Sequence, residues 1–210
     1  MNKSRWEEIL AVSARLFREK GYRATTMDDI AYELNVTKPA LYYYIKTKHD
    51  LLYAVIESAV EQLIEGAQRI MEGEGGVEEK LRRLIAWHVN MFSENSDFTT
   101  VYLAEESELP EDKRRFIRDL SRKYQEFYRQ LLREGMEQGI FRDMDIPMVV
   151  RAISGMCNWL FDWYRRDGKY TTDEIADIFY DIVMKGCLKE PGERKAVRPA
   201  RKRTQPARTK

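Results

Sequence analysis

The amino-acid sequence predicts an all-α protein with a small N-terminal module of three helices and a larger C-terminal helical domain. Three observations carry that prediction. Apolar residues recur three and four positions apart through most of the 210 residues. Caps and stops punctuate the pattern, among them Thr26, Thr37, Thr47 and Thr171 as starts and Gly21, Gly139 and Gly168 as ends. No segment alternates with a period of two, and no internal repeat stands out. The length allows one small module plus one domain large enough to bury a sizeable core.

In chain order, Ser4 and Glu7 form a capping-box pattern that opens the first helix. Its Ile9, Leu10, Ala14 and Phe17 face a core, and Gly21 ends it. Residues 25–48, TTMDDIAYELNVTKPALYYYIKTK, read as two short helices joined by a tight turn, a helix-turn-helix. Thr25 and Thr26 are cap residues ahead of Met27-Asp28-Asp29, whose acids suit the positive end of a helix dipole. Ile30, Ala31 and Leu34 bury. Asn35 takes the left-handed position past the helix end, and Val36 plugs the turn. Thr37 caps the next helix, Lys38-Pro39 occupy its first turn, and Leu41 and Ile45 form its apolar stripe. Thr47 and Asp50 open a long helix through Leu51, Leu52, Val55, Ile56, Val60 and Leu63 to the break at residues 73–76. Further helices are expected over residues 77–93, 98–106, 110–138, 146–166 and 172–188, with a start at Asp145–Pro147 and a capping box at Thr171 and Glu174.

The helix after Thr37 carries the most informative chemistry. Tyr42, Tyr43 and Tyr44 cannot all be core, because successive helical residues lie about 100° apart. Outward phenols beside lysines, a small Ala40 and a first-turn Pro39 fit a helix that enters a major groove of double-stranded DNA. Lys38, Pro39, Ala40 and Tyr43 are the candidates for reading bases. Thr26, Thr37, Tyr42, Tyr44 and Lys48 are the candidates for holding phosphates. The bland alternative is an ordinary helical hairpin with a solvated face.

Charge and composition narrow the class. The net charge of +1 hides an asymmetry: residues 189–210 hold nine cations against Glu190 and Glu193 and carry +7, leaving −6 for the rest. With Pro191, Pro199 and Pro206 this tail is expected to be disordered, either simply solvated or attracted to DNA. Cys157 and Cys187 lack metal-ligand or redox spacing and read as buried thiols. No signal peptide or membrane span is visible, so a cytoplasmic protein without membrane contact is expected. Neither a metal site nor a cofactor is expected. With two histidines, His49 and His88, and no nucleophile, phosphate-loop or dinucleotide fingerprint, an enzyme is not expected, and no catalytic residue is assigned.

Over residues 9–52, the pairs Leu16-Phe17, Gly21-Tyr22, Thr25-Thr26, Ile30-Ala31 and Val36-Thr37, then Leu41-Tyr42-Tyr43-Tyr44, Lys46-Thr47-Lys48 and Leu51, resemble the DNA-binding domain of TetR-family transcriptional regulators. Two features depart from the pattern: Asn35, where many members have Gly, and Asp28 and Asp29 near the DNA side. The resemblance implies a helix-turn-helix domain at 1–48, an effector-binding and dimerisation domain at 49–188 and the basic tail at 189–210. The segment 146–166 is apolar on nearly every side, and a helix apolar all round must be buried all round. In the resembled family the last two long helices form a four-helix dimer interface, which here would use Ile153, Leu160, Phe161, Trp163, Tyr164, Ile175, Phe179 and Ile182. A two-fold homodimer would set two recognition helices in successive grooves and read a pseudo-palindromic operator.

The larger domain is rich in adaptable side chains. Trp87, His88, Met91, Phe98 and Tyr102, with Tyr124, Phe127 and Tyr128 and then Met156, Asn158 and Trp159, are candidates to line an effector pocket. About half are expected to be plain core. Residues 155–168, GMCNWLFDWYRRDG, followed by Glu174-Ile-Ala, look like the C-terminal signature of TetR regulators of fatty-acid or steroid catabolism. That implies an acyl-CoA effector and a repressor released by it. The run Lys113, Arg114, Arg115, Arg118, Arg122 and Lys123 either binds CoA phosphates or, the preferred reading, is a solvated face paired with Glu111, Asp112 and Asp119. The rivals are a multidrug-type sensor, which Glu105, Glu106 and Glu108 leave open, and a DNA-bound structural or cell-division factor of the same fold.

Overall fold

A computed structural model describes residues 3–94 and 96–188; the basic tail at 189–210 lies outside the described residues. The chain forms α1 (Lys3–Lys20), α2 (Met27–Glu33), α3 (Lys38–Tyr44), α4 (Lys48–Glu72), α5 (Val77–Glu94), α6 (Ser96–Glu105), a 3-10 turn (Glu106–Glu108), α7 (Glu111–Glu137), α8 (Ile146–Asn158), α9 (Leu160–Trp163) and α10 (Thr172–Cys187). Among the described residues the only bridge of extended backbone joins Phe141 to Leu188. No described helix is long and apolar enough to cross a membrane.

Local chemistry sets most of the ends. Thr26 and Asp29 make a reciprocal capping box at α2, and Thr171 and Glu174 make another at α10. The Thr37 hydroxyl accepts from the Ala40 N–H at 3.3 Å, with Pro39 in the first turn of α3. Asn35 adopts φ 52°, the left-handed conformation that lets the chain turn sharply between α2 and α3. Two expected caps differ. Ser4 lies inside α1, which has already begun at Lys3. Thr25 does not cap: it is buried and its one hydroxyl hydrogen is shared between the carbonyls of Gly21 and Leu16, fastening the end of α1 to the start of α2.

The single helix expected over 146–166 is broken. The backbone tightens after Asn158, with the Asp162 N–H reaching back only three residues to the Trp159 carbonyl at 3.1 Å, and Tyr164 leaves the helix at ψ 137°. α10 then packs chiefly along α5.

Two apolar clusters form the core. The first joins Ile9, Phe17, Ile30 and Leu41 of the N-terminal helices to Leu51, Leu52, Val55, Ile56 and Val60 of α4, and to Val101 of α6 and Ile117 of α7. The second gathers Leu63 and Ala67 of α4 with Leu84, Ile85, Tyr128, Leu131, Val150, Ile153, Cys157 and Leu160. The expected boundary after residue 48 therefore falls inside one apolar cluster. α4 belongs to both clusters, so displacing one half of it moves the other.

The candidate dimer residues divide. Ile153, Leu160 and Ile175 are buried within the chain's own core, so they are not available to a partner. An apolar helix shows which positions are oily, not which of them its own fold covers first. Tyr164 and Phe179 are half-buried. Phe161, Trp163 and Ile182 are exposed, as are Met148, Trp159 and Ile178. Exposed large apolar side chains in such number on the last helices are the kind of surface that marks an interaction site.

Candidate nucleic-acid interface and effector cavity

α3 is a short platform held by one fully buried side chain, Leu41. Its other face is open to solvent: Lys38, Pro39 and Ala40 are exposed, Tyr43 is 86% exposed and Tyr42 41%. Tyr44 is half-buried and meets Tyr43 edge to face with centroids 5.5 Å apart. Thr26 and Thr37 sit exposed at the two helix starts with their hydroxyls engaged as caps. α2 adds Tyr32, 83% exposed, which sequence reasoning passed over although its place beside the charged Glu33 on a short helix signalled an outward face. Lys38 Nζ is bound to Asp28 Oδ2 at 2.8 Å, so in the free chain this candidate for base reading is held by an acid of α2.

Lys48 is placed differently from the other phosphate candidates. Its ammonium donates to the carbonyls of Tyr22 (2.9 Å), Thr25 (2.8 Å) and Arg23 (3.3 Å), and sits over the Tyr22 ring at 4.4 Å. All three of its hydrogens are used in closing the loop between α1 and α2. The neighbouring phenol of Tyr22 is pushed up to about 12 by burial, with Glu108 and Glu105 adding to it.

The DNA-binding module is latched to the larger domain through that same loop. Glu105 at the end of α6 accepts the Tyr22 N–H at 3.1 Å, Arg23 pairs with Glu108 at 2.9 Å, and Arg18 pairs with Asp97 at 2.9 Å. Lys113 of α7 binds Asp50 in the first turn of α4 and lies over the Tyr53 ring at 4.9 Å. The Asp50 carboxyl is held below the usual carboxylate range by Lys113 and by Thr47.

Inside the larger domain five helices converge on a small cavity of about 30 Å³, lined by Val60 and Leu63 of α4, His88 of α5, Tyr102 of α6, Ser121, Tyr124 and Gln125 of α7, and Ser154 and Asn158 of α8. His88 Nε2 and Asn158 Oδ1 are 3.0 Å apart, and Tyr102 and Ser121 share a hydrogen bond of 2.8 Å. Burial holds the imidazole down to about 4, with the Asn158 bond pulling the other way. His88 is therefore neutral and donates through Nε2, which leaves Nδ1 a buried acceptor without a partner. No carboxylate lines this cavity: Glu105 and Glu108 are spent on Tyr22 and Arg23, while Glu106 lies close enough to add to the burial that raises the Tyr102 phenol and has its own carboxyl pushed up by burial.

Of the eleven pocket candidates, His88, Tyr102, Tyr124 and Asn158 come together here. Tyr128 is core and donates to the Leu84 carbonyl at 3.2 Å, and Met91 is core. Trp87 lies over Gly66 and donates to the Leu63 carbonyl at 3.1 Å. Phe98 packs against the first core cluster, and Phe127 and Met156 against the second. Trp159 is a correction: it is 57% exposed and edge to face with Phe161 at 6.0 Å, on the outer apolar surface rather than in the cavity. Ser121, Gln125 and Ser154 were missed. Their signal was present as polar residues four apart, 121 with 125 and 154 with 158, on faces otherwise apolar.

Two further depressions are open to solvent. One of about 590 Å³ lies between α7 and the start of α8, lined by Asp119, Arg122, Lys123, Gln125, Glu126, Arg129, Pro147 and Arg151. The other, about 390 Å³, lies between α1, α5, α6 and the segment around α9, with Arg18, Arg165 and Arg166 among its walls. Much of the cationic run on α7 is paired as a solvated face: Arg114 and Arg118 hold Glu111, and Arg122 holds Asp119.

Residues 9–55 match the family described as bacterial regulatory proteins, tetR family, and residues 74–187 match the tetracyclin repressor-like C-terminal domain. The HTH-type transcriptional repressor KstR2 of Mycobacterium tuberculosis is 26% identical over 189 residues, covering 89% of this chain and 94% of the relative. The crystal structure of the TetR-family regulator PfmR from Thermus thermophilus superposes with a TM-score of 0.79 at 34% identity, covering 84% of this chain and 97% of that one. The crystal structure of AibR in complex with isovaleryl coenzyme A and operator DNA superposes with a TM-score of 0.77 at 28% identity, covering 85% and 97%. With an exposed recognition helix, a polar cavity wedged against α4 and these matches over nearly its whole described length, the chain belongs to the TetR family of transcriptional regulators.

Proposed function

We propose that the protein is a cytoplasmic, homodimeric repressor that leaves its operator when an acyl-CoA thioester enters the cavity around His88. The observation that carries this reading is the neutral His88–Asn158 pair set among phenols and hydroxyls at the meeting point of five helices, one of them α4. Such a site offers hydrogen bonds to an uncharged polar group such as a thioester, with apolar walls beside it. No carboxylate stands in its lining to meet a cationic drug, and burial pushes the nearby Glu106 toward its neutral form, which favours the thioester over a multidrug ligand. The relative AibR, crystallised with isovaleryl coenzyme A and operator DNA, supports the same ligand class.

The mechanism follows from volume. A cavity of about 30 Å³ holds roughly one water, so an acyl chain binds only a conformation in which α4 and α7 have parted. That conformation displaces α4, and through Glu105, Arg23 and Lys113 it disturbs the base of the DNA-binding module. In a dimer joined through Met148, Trp159, Phe161, Trp163, Ile178 and Ile182, the two α3 helices then no longer match successive grooves. Within α3, Lys38, Pro39, Ala40 and Tyr43 read bases and Tyr42 and Tyr44 hold phosphates, joined by Thr26 and Thr37 at the starts of α2 and α3. The protein acts by binding alone, without catalysis. The test is a titration of operator complex with acyl-CoA thioesters of graded chain length. Weakened operator binding on the order of 5- to 150-fold by at least one of them is expected, and no change across the series would refute the effector assignment.

A further inference from the structure

We infer that the groove between α7 and the start of α8 seats the phosphorylated nucleotide end of the effector, with the thioester arm running past Gln125 to the cavity at His88; this rests on the acyl-CoA reading above. A single stripe of α8, Pro147, Arg151, Ser154 and Asn158, recurs at helical spacing. Its first two residues line the open groove and its last two line the small cavity. On α7, Gln125 borders both. The two spaces are thus the ends of one track between the same pair of helices. From Arg151 to Asn158 the helix rises about 10 Å, a length that an extended pantetheine arm covers.

Charge separates the two ends. The groove holds Arg122, Lys123, Arg129 and Arg151 against Asp119 and Glu126. Arg122 is bound to Asp119 at 2.6 Å, and Arg129 to Glu126 at 3.2 Å. Lys123 and Arg151 make no ion pair among the described residues, so the groove has two cations to spare for phosphate. Arg129 also donates to Gln125 Oε1 at 3.0 Å and acts as a positioning residue for the wall between the two spaces. At the inner end the polar groups are neutral, which suits a thioester and not a phosphate. Of the cationic run along α7, Arg115 and Lys123 make no ion pair among the described residues, and Lys123 stands where the track opens.

The test is calorimetric binding of three probes, an acyl-CoA, the matching acyl-pantetheine and adenosine 3′,5′-bisphosphate, to the full-length protein and to the double variant Lys123→Glu/Arg151→Glu. Both residues are exposed, and an unchanged melting midpoint shows that the variant is folded; if it is not, Lys123→Gln/Arg151→Gln takes its place. The expected result is a loss of acyl-CoA and bisphosphate affinity of about tenfold or more, with acyl-pantetheine bound equally by both proteins. Arg165→Glu, in the other basic depression, is expected to leave all three unchanged. Equal acyl-CoA affinity in parent and double variant, or a loss that follows Arg165→Glu instead, would overturn the groove assignment alone. If the parent protein binds no acyl-CoA, the effector reading falls and the groove assignment with it.

Discussion

Replacing Lys48 with Met separates two roles that a lysine at the edge of a DNA-binding module can play. Its ammonium donates to three carbonyls of the loop between α1 and α2, two of them within 2.9 Å, and lies 4.4 Å from the Tyr22 ring. A hydrogen bond from a charged group contributes about 1.5–3 kcal/mol and a cation over an exposed ring about 0.5–1 kcal/mol. The side chain is only half-buried, so water recovers much of this, and a net loss of about 2 kcal/mol is expected. For a chain of this size that lowers the melting midpoint by roughly 4–8 °C. Operator affinity falls as the module loosens, yet the slope of log affinity against log salt stays where it was, because every phosphate is still neutralised as before. Had Lys48 bound a phosphate, the slope would shrink by about 0.9 for each phosphate left without its cation. The assay is operator anisotropy across a salt series beside a circular-dichroism melt. A flattened slope with an unchanged midpoint would refute the structural role.

Three further outcomes follow from the geometry. His88 is held down to about 4 by burial, against 6.5 in an unfolded chain, so the unfolded state takes up its proton first as pH falls; stability present above pH 6.5 is lost toward pH 4, by about 3 kcal/mol. His88→Gln keeps a donor for Asn158 and is expected to flatten that loss in urea midpoints measured across the window; an equally steep loss would mean that other groups carry it. Asp28→Asn frees Lys38 and removes a charge facing the groove, so operator binding should tighten roughly two- to fivefold at low salt and converge at high salt; unchanged binding at low salt would place Asp28 away from the DNA. Gly66→Ala would set a methyl 2.0 Å from the Trp87 ring and displace its bond to the Leu63 carbonyl, so despite the better helix former a loss of about 1–3 kcal/mol is expected in a denaturant titration; equal or greater stability would show that Trp87 can move without loss.

What could be read from the sequence was what is decided locally. Thr26 and Thr171 cap where the acid three residues on predicts, Thr37 caps just ahead of Pro39, and Asn35 turns left-handed shortly before the next helix begins at Lys38. The outward phenols of α3 follow from its short length and its one buried leucine. What depends on which surface another helix covers was not legible. Ile153 and Leu160 are as apolar as Trp163 and Ile182, but the first two are taken up by the chain's own core. Trp159 turns outward because the helix tightens after Asn158, a break no proline or glycine announces. Lys48 looked like its exposed neighbours until the loop of α1 folded over it, since its three acceptors lie 23 to 26 residues away. The cavity wall had the same difficulty: Gln125 and Ser154 gain meaning only once α7 and α8 lie side by side.

The central claim is that effector and operator compete through the conformation of α4, and linkage makes it testable in one measurement. Acyl-CoA affinity is measured for the free protein and for the protein saturated with its operator duplex. The expected result is that operator weakens effector binding by the same factor by which effector weakens operator binding. Equal effector affinity in the free and DNA-bound protein would contradict it.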